Sequence, residues 1–403
     1  MPAAEIVTFG CRLNLFESEA IRRHAGDQGD LVVINTCAVT HEAERQALQA
    51  VRRIHRDRPQ ARIVATGCAV QIDPAGWAAL PGVDRVLGNR EKLLAQSWVP
   101  GAPSGVGDVM AGGPASAVPA GGWHTRALVQ VQQGCDHRCT FCIIPFGRGP
   151  SRSVMADTIV HQIRSLADAG AREVVITGVD VASYAAEGRR LGDLVRTVLA
   201  AVPHLPRLRL SSIDPAAIDD TLWALLADEP RLMPHLHLSI QAGSDLMLKR
   251  MRRRHSRADA LAVIARARQA RPGIAIGADL IAGFPTETQA LFDDTLAFVE
   301  AAAIPHLHVF PYSERPGTPA ARMPPVPVSV RQARAAALRA AAIRHGGAFH
   351  AAQVGRVVTV LAERGGRGHT EHFAPTRVDA PPGTLVRARV TAGDAHGVTV
   401  EAV

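Results

Sequence analysis

The stretch Gly134-Cys135-Asp136-His137-Arg138-Cys139-Thr140-Phe141-Cys142-Ile143-Ile144-Pro145 decides how the rest of the chain is read. Three cysteines spaced C-x3-C-x2-C in one short segment bring three thiolates to one small object. Thiolates are soft ligands that select iron–sulfur clusters, zinc or cuprous copper. A structural zinc site is closed and takes four ligands. Only three cysteines are local here, and His137 is the nearby residue able to complete a zinc knuckle. Three thiolates on a four-iron cluster would instead leave one iron open to an external ligand.

Outward from this loop, the chain alternates. Strand-like runs at 127–132, 173–177, 207–211, 236–241, 274–281 and 306–310 are separated by helix-like segments at 156–169, 191–201, 219–227, 256–269 and 287–302. Six strand–helix repeats predict an α/β fold, a partial (βα)6 barrel over residues 123–330, with a doubly wound open sheet as the alternative. In both, loops at strand C-termini hold the site, and the cysteine loop follows the first strand. An Arg/Ala-rich connecting helix spans 331–346. Residues 347–403 read as a small β-barrel, with strands near 357–361, 385–390 and 397–402.

The other three cysteines, Cys11, Cys37 and Cys68, lie upstream, each just after an apolar run (6–9, 31–35 and 63–66). Residues 1–98 read as a flavodoxin-like α/β domain, whose parallel strands put their C-terminal ends on one edge. Singly, each cysteine reads as a buried hydrophobe more readily than as a ligand. Three at strand ends suggest a shared ligand. Residues 99–122, with 7 Gly and 4 Pro, read as a linker.

Composition sets bounds. Of 403 residues, 45 are basic and 37 acidic, a net charge of +8, but the only lysines are Lys92 and Lys249. The excess permits a polyanionic partner without naming one. At 47% hydrophobic, the chain can bury several cores, and no apolar run approaches the ~20 residues of a membrane span. The first residues lack the cationic start and apolar run of an export signal, so a cytoplasmic location without disulfides is expected.

With the C-x3-C-x2-C loop and Phe141 before its last cysteine, the chain resembles the radical S-adenosylmethionine (SAM) enzymes. Its layout and motifs resemble the methylthiotransferases within that superfamily. Gly10-Cys11-Arg12-Leu13-Asn14, Asn35-Thr36-Cys37 and Gly67-Cys68-Ala69-Val70-Gln71 match the N-terminal motifs. Ile143-Ile144-Pro145-Phe146-Gly147-Arg148-Gly149 resembles the family's Pro-Tyr-x-Arg-Gly tail, with Phe for Tyr, and the C-terminal segment resembles the RNA-binding TRAM domain. NTCAVTHEAERQ is most similar to the branch that acts on N6-threonylcarbamoyladenosine in tRNA. The alternatives are the branches acting on isopentenyladenosine tRNA or a ribosomal-protein aspartate, and, outside enzymes, a metal-stabilised RNA-binding module.

The resemblance implies two [4Fe-4S] clusters, one held by Cys135, Cys139 and Cys142, the other by Cys11, Cys37 and Cys68. It implies SAM as methyl donor and radical source, tRNA as partner, and a flavodoxin- or ferredoxin-like electron donor. The target, C2 of adenine beside the anticodon, is an unactivated C–H position, which suits radical chemistry. Phe141, Gly178, Ser211, Ser212 and Gln241 would contact SAM, although the polar ones read equally as ordinary strand-end residues. Arg148 would contact SAM or the modified base. The basic run Lys249, Arg250, Arg252, Arg253, Arg254 and Arg257 would meet tRNA phosphates, or form a solvated face. Asp279 reads as a packing residue or a ligand. The C-terminal domain, with two aromatics, Phe349 and Phe373, offers little stacking surface.

Overall fold

The computed structural model describes residues 3–113 and 125–403. In the N-terminal domain, strands β1 (Glu5–Thr8), β2 (Leu31–Thr36), β3 (Arg62–Gly67) and β4 (Arg85–Leu87) form a parallel sheet in sequence order. Period-two alternation gives it two faces. Leu31, Val33 and Val64 pack with Ile21 and Ala25 of helix α1 (Arg12–Ala25). Val32, Ile34, Ile63 and Ala65 pack with Ala47, Val51 and Ile54 of α2 (His41–Asp57). Helix α2 starts where Thr40 accepts a hydrogen bond from the Ala43 amide at 3.2 Å.

The Gly/Pro-rich stretch divides. Gly105 bridges Leu87 at the sheet edge, and Val109 is buried against Gly149. The first half therefore packs on the domain rather than hanging free. The rest of the expected linker, from 114 to 122, lies outside the described residues.

The six expected barrel strands are β5 (Ala127–Gln130), β6 (Glu173–Thr177), β7 (Arg207–Leu210), β8 (His235–Gln241), β9 (Ala275–Ala282) and β10 (His306–Pro311). They form two parallel three-stranded sheets, β5-β6-β7 and β8-β9-β10, joined by the Ile213–Leu238 and Leu208–Leu232 bridges. Alternation again decides the faces. Leu208, Leu210, Leu236, Leu238, Ile240, Ile276 and Leu280 point outward into one apolar core with the surrounding helices. Their neighbours point inward, and they are polar: Arg209, Ser211, His235, His237, Ser239, Asp279, His306 and His308 all line cavities. A packed barrel fills its centre with branched apolar side chains; this one lines an open lumen with hydrogen-bonding groups.

A helix over Val328–Ala351, longer than expected, leads to the C-terminal domain. There five antiparallel strands, Val357–Glu363, Arg367–Thr370, Pro375–Arg377, Leu385–Asp394 and Gly397–Ala402, curl until Gly397 meets the Pro375 carbonyl. This nearly closed barrel caps the end of the lumen where the strands begin. Phe373 stacks on His369 at 4.8 Å and also faces His235.

Candidate active site

Each N-terminal cysteine sits where a strand hands over to a helix. Cys11 is the N-cap of α1, Cys37 follows β2, and Cys68 opens the short helix Cys68–Ile72. The motif residues beside them brace the three loops against one another. Asn14 donates to the carbonyls of Phe9 and Thr36, both at 2.8 Å, tying the Cys11 loop to the Cys37 loop. The Thr36 hydroxyl donates to the Thr66 carbonyl at 2.7 Å and accepts from the Ala69 amide, tying the Cys37 loop to the Cys68 loop. Two glycines make the approach possible. A Cβ on Gly10 (φ +93°) would fall 2.5 Å from the Cys37 sulfur, and one on Gly67 (φ +100°) would fall 2.3 Å from the Thr36 carbonyl.

Below these loops lies a buried charge network. Glu17 takes ion pairs from Lys92 at 2.7 Å and from Arg148, all three with side chains at most 1% exposed. Arg148 also donates to Asn14 Oδ1 at 2.5 Å, to Gln133 at 3.2 Å and, through Nε, to the Cys68 sulfur at 3.1 Å. Burial would raise the Glu17 carboxyl, but Arg148 and Lys92 outweigh it and hold it below its ordinary value. The expectation that Arg148 contacts SAM or the substrate base is therefore corrected. Its hydrogen-bonding groups are engaged inside the protein, and its charge is set beside Cys68.

The second cysteine loop runs from β5 into the helix Ile144–Arg148, so one short segment joins both sites. Cys142 precedes that helix and Arg148 ends it, on Cys68. Asn89 secures the junction, donating to the Gly147 carbonyl at 2.6 Å. The helix also packs directly on the N-terminal site: a Cβ on Gly147 would fall 3.4 Å from the Cys68 Cβ. Thr140 anchors the loop from the other side by donating to the Arg250 carbonyl at 2.8 Å.

The basic run splits at this point. Lys249, Arg252 and Arg254 are exposed. Arg250 donates to the Thr286 carbonyl at 3.1 Å. Arg253 turns inward, pairs with Asp214 at 3.0 Å, donates to the Ser239 carbonyl and lies 3.6 Å from the Cys139 sulfur. Arg253 belongs to the cluster site and not to an RNA-facing surface, which corrects the sequence reading.

A cleft of about 980 Å³ joins these parts. It is lined by Cys11, Cys37, Cys135, Cys139 and Cys142, and by Phe141, Gly178, Ser211, Ser212 and Gln241, so the expected SAM contacts share one space with five of the six cysteines. A Cβ on Gly178 would fall 2.7 Å from the Gln132 carbonyl. The Ser211 hydroxyl is buried without a protein partner, as a ligand-binding group would be. Ser212 is committed to Ser239 at 2.6 Å and Asp279 at 3.2 Å. Gln241 holds a left-handed φ of +73° at the end of its strand.

The sequence reading left Asp279 open and did not single out its two partners. Asp279 Oδ1 lies 3.0 Å from His237 Nε2 and 3.2 Å from His308 Nδ1, across three neighbouring strands. Burial would raise this carboxyl, but the two imidazoles hold it well below the usual range. The signal was present in HLHLSIQ and HLHVF, whose alternation puts every histidine on the lumen face.

The donor sets fit iron–sulfur clusters better than a single zinc ion. Four thiolates on zinc, with 2.3 Å bonds, lie about 3.8 Å apart. Among the described residues, neither cysteine triplet has all three sulfurs within 4.8 Å of one another, a spacing that suits a larger object. His137 pairs with Asp180 at 3.0 Å beside Cys135. Burial pushes the thiols of Cys37 and Cys135 up to about 12 and that of Cys142 to about 11, so a bound metal cluster is what would make them thiolates. N–H groups of Arg148 and Arg253 point at the sulfurs of Cys68 and Cys139, where they would tune a bound cluster.

A barrel with three cysteines on its first strand-end loop defines a radical SAM enzyme. Residues 129–299 match the Radical SAM superfamily, and residues 3–88 match a family described as uncharacterized protein family UPF0004. The chain is 46% identical over 383 residues to the threonylcarbamoyladenosine tRNA methylthiotransferase MtaB of Rickettsia prowazekii, covering 93% of this chain and 91% of that one. It is 38% identical to the Bacillus subtilis protein of the same name, over 78% and 74% of the two chains. It is also 33% identical to a tRNA-2-methylthio-N(6)-dimethylallyladenosine synthase of Cereibacter sphaeroides, over 99% and 98%. Among solved structures, the radical SAM methyltransferase TsrM of Kitasatospora setae matches with a TM-score of 0.53 at 17% identity, covering 77% of this chain and 66% of that one, which shows the fold alone. The chain belongs to the radical SAM methylthiotransferase family. It is an enzyme that transfers a methylthio group and uses SAM with a [4Fe-4S] cluster. Among the described residues, no helix is long and apolar enough to cross a membrane.

Proposed function

We propose that the enzyme methylthiolates C2 of N6-threonylcarbamoyladenosine, beside the anticodon of tRNA. The observation that carries this reading is the polar lumen. A threonylcarbamoyl group has a urea, a hydroxyl and a carboxylate. A wall of Ser239, His237, Asp279 and His308 presents hydrogen-bonding groups to such a substituent, whereas a dimethylallyl group would set hydrocarbon against this polar wall and strip it of water, which is costly. The names of the 46% and 38% identical relatives support the same choice.

In this reading Cys135, Cys139 and Cys142 hold the SAM-cleaving cluster, and Cys11, Cys37 and Cys68 hold a second [4Fe-4S] cluster where the methylthio group is assembled. When bound, the first cluster supplies the reductive SAM cleavage that makes an unactivated C–H position reactive. The chain's own residues orient and shield. Ser211 and Gln241 face SAM, Arg253 directs a proton donor at Cys139, and the Ile144–Arg148 helix sets the spacing between the two cysteine groups. Exposed Lys249, Arg252 and Arg254 meet tRNA phosphates. A flavodoxin- or ferredoxin-like protein supplies electrons, and the enzyme works in the cytoplasm, where tRNA is met.

The test is nucleoside analysis of tRNA from a deletion strain. Loss of the 2-methylthio derivative of N6-threonylcarbamoyladenosine, restored by the gene, is expected. Loss of the 2-methylthio derivative of isopentenyladenosine instead, or an unchanged tRNA profile with an unmodified ribosomal protein, would overturn it.

A further inference from the structure

Arg12 follows Cys11 directly, and its side chain reaches the far end of the lumen. There it meets Arg126 and Arg209 around one aromatic ring. The three guanidinium carbons lie 6.0, 5.0 and 4.9 Å from the centre of Phe373. A cavity of about 370 Å³ opens between them and shares Arg12 and Phe373 with the main cleft.

The charges around this cavity do not balance. Glu173 serves Arg126, Arg207 and Arg209 at once, at 2.9, 3.4 and 2.8 Å, and Glu363 serves Arg126. The cavity wall itself carries Arg12, Arg126, Arg209, Arg364 and Arg367 against the single carboxylate of Glu363, with Glu173 behind it. Arg12 makes no hydrogen bond or ion pair among the described residues. Independently, Arg209 is 1% exposed and its Nη1 is buried with no acceptor. An N–H group in that position leaves an uncompensated cost unless a ligand accepts from it.

We propose that Arg12, with Arg209 and Phe373, forms an anion-receiving subsite that binds the carboxylate of the substrate's N6 substituent. The inference rests on the threonylcarbamoyl reading and deepens it, making Arg12 a specificity-determining residue. A planar guanidinium matches a carboxylate through two parallel N–H···O bonds. Placing that contact on the residue after Cys11 ties recognition of the substituent to the site where the methylthio group is held. A backbone phosphate presents similar oxygens, so the test separates the two sources.

The experiment measures binding of fluorescent anticodon stem-loop RNAs to the reconstituted enzyme, wild type and Arg12→Gln, without SAM. One RNA bears N6-threonylcarbamoyladenosine, a second its methyl ester, and a third N6-dimethylallyladenosine. Wild type should bind the free acid at least about tenfold more tightly than the ester. Arg12→Gln should erase that ratio while keeping the wild-type iron content and unfolding temperature, and Arg12→Lys should restore part of it. An equal loss for acid and ester in Arg12→Gln, with a shallower salt dependence, would assign Arg12 to phosphate and overturn the proposal. So would a wild-type enzyme that methylthiolates the free acid and the ester equally well. If wild type modifies only the dimethylallyl RNA, the threonylcarbamoyl reading fails first and the subsite falls with it.

Discussion

The two cysteine triplets are held in opposite ways. Cys11, Cys37 and Cys68 come from three strand ends far apart in sequence, and a dense internal network braces them: Asn14, Asn35, Thr36, and the Glu17–Arg148–Lys92 ion pairs. Cys135, Cys139 and Cys142 come from one loop, with little support beyond Thr140, Arg253 and the backbone. A local motif needs few braces because chain connectivity already limits the distances between its sulfurs. A non-local one must be built by the fold. The loop site, half-buried and open to the cleft, has room for SAM to enter. The braced site is suited to holding a cluster rigidly against a neighbour.

The sharpest way to break this comparison is to remove one cysteine from each set. Cys139→Ala should abolish 5′-deoxyadenosine formation from SAM. Cys37→Ala should keep SAM cleavage but lose methylthio transfer, as read by chromatography of both products, and if each triplet holds its own cluster each variant should keep about half of the wild-type iron. Equal loss of SAM cleavage in both would show that the two sites do not act separately.

Next in size is the charge network. Glu17→Gln leaves Lys92 and Arg148 as buried cations without their carboxylate, a cost of about 3–5 kcal/mol. Denaturant unfolding should show the loss, and anaerobic iron titration should show poorer filling of the N-terminal site than of the loop site. A matching deletion at the loop, Thr140→Val, removes one hydrogen bond and should cost only about 1 kcal/mol.

A third experiment uses acid. Burial alone would raise the Glu173 carboxyl, but Arg209, Arg126 and Arg207 hold it at about 2, below an unfolded value near 4.3. A carboxyl depressed on folding stabilises the protein above its unfolded pKa and loses that contribution as pH falls through the folded one. About 3 kcal/mol should therefore disappear between roughly pH 4 and pH 2. Glu173→Gln should flatten that part of the stability profile, measured by thermal unfolding against pH.

The smallest effect should come from the surface. Lys249→Gln is expected to weaken tRNA binding severalfold and to lower the salt slope by about one unit. Because Arg253 pairs with Asp214 and reaches Cys139, Arg253→Gln should act mainly on SAM cleavage, with little change in the salt slope.

The sequence by itself determined the elements and the ligand chemistry. All six barrel strands were legible from alternation and turn signals, because a strand between two layers must repeat every second residue. The spacing of Cys135, Cys139 and Cys142 named a thiolate site, because an eight-residue span fixes how far its sulfurs can separate. Two further strands of the C-terminal barrel, Arg367–Thr370 and Pro375–Arg377, were not legible, since each is too short to show a period. Tertiary structure alone decided what the arginines do. Arg148, Arg253 and Arg12 look alike in sequence as cations free to face an anionic partner. Packing buried the first against Glu17, turned the second onto Asp214, and left the third unpaired at the end of the lumen. A long flexible side chain takes its role from whichever acceptor the fold brings within reach, and that is set by contacts up to 134 residues apart in the chain.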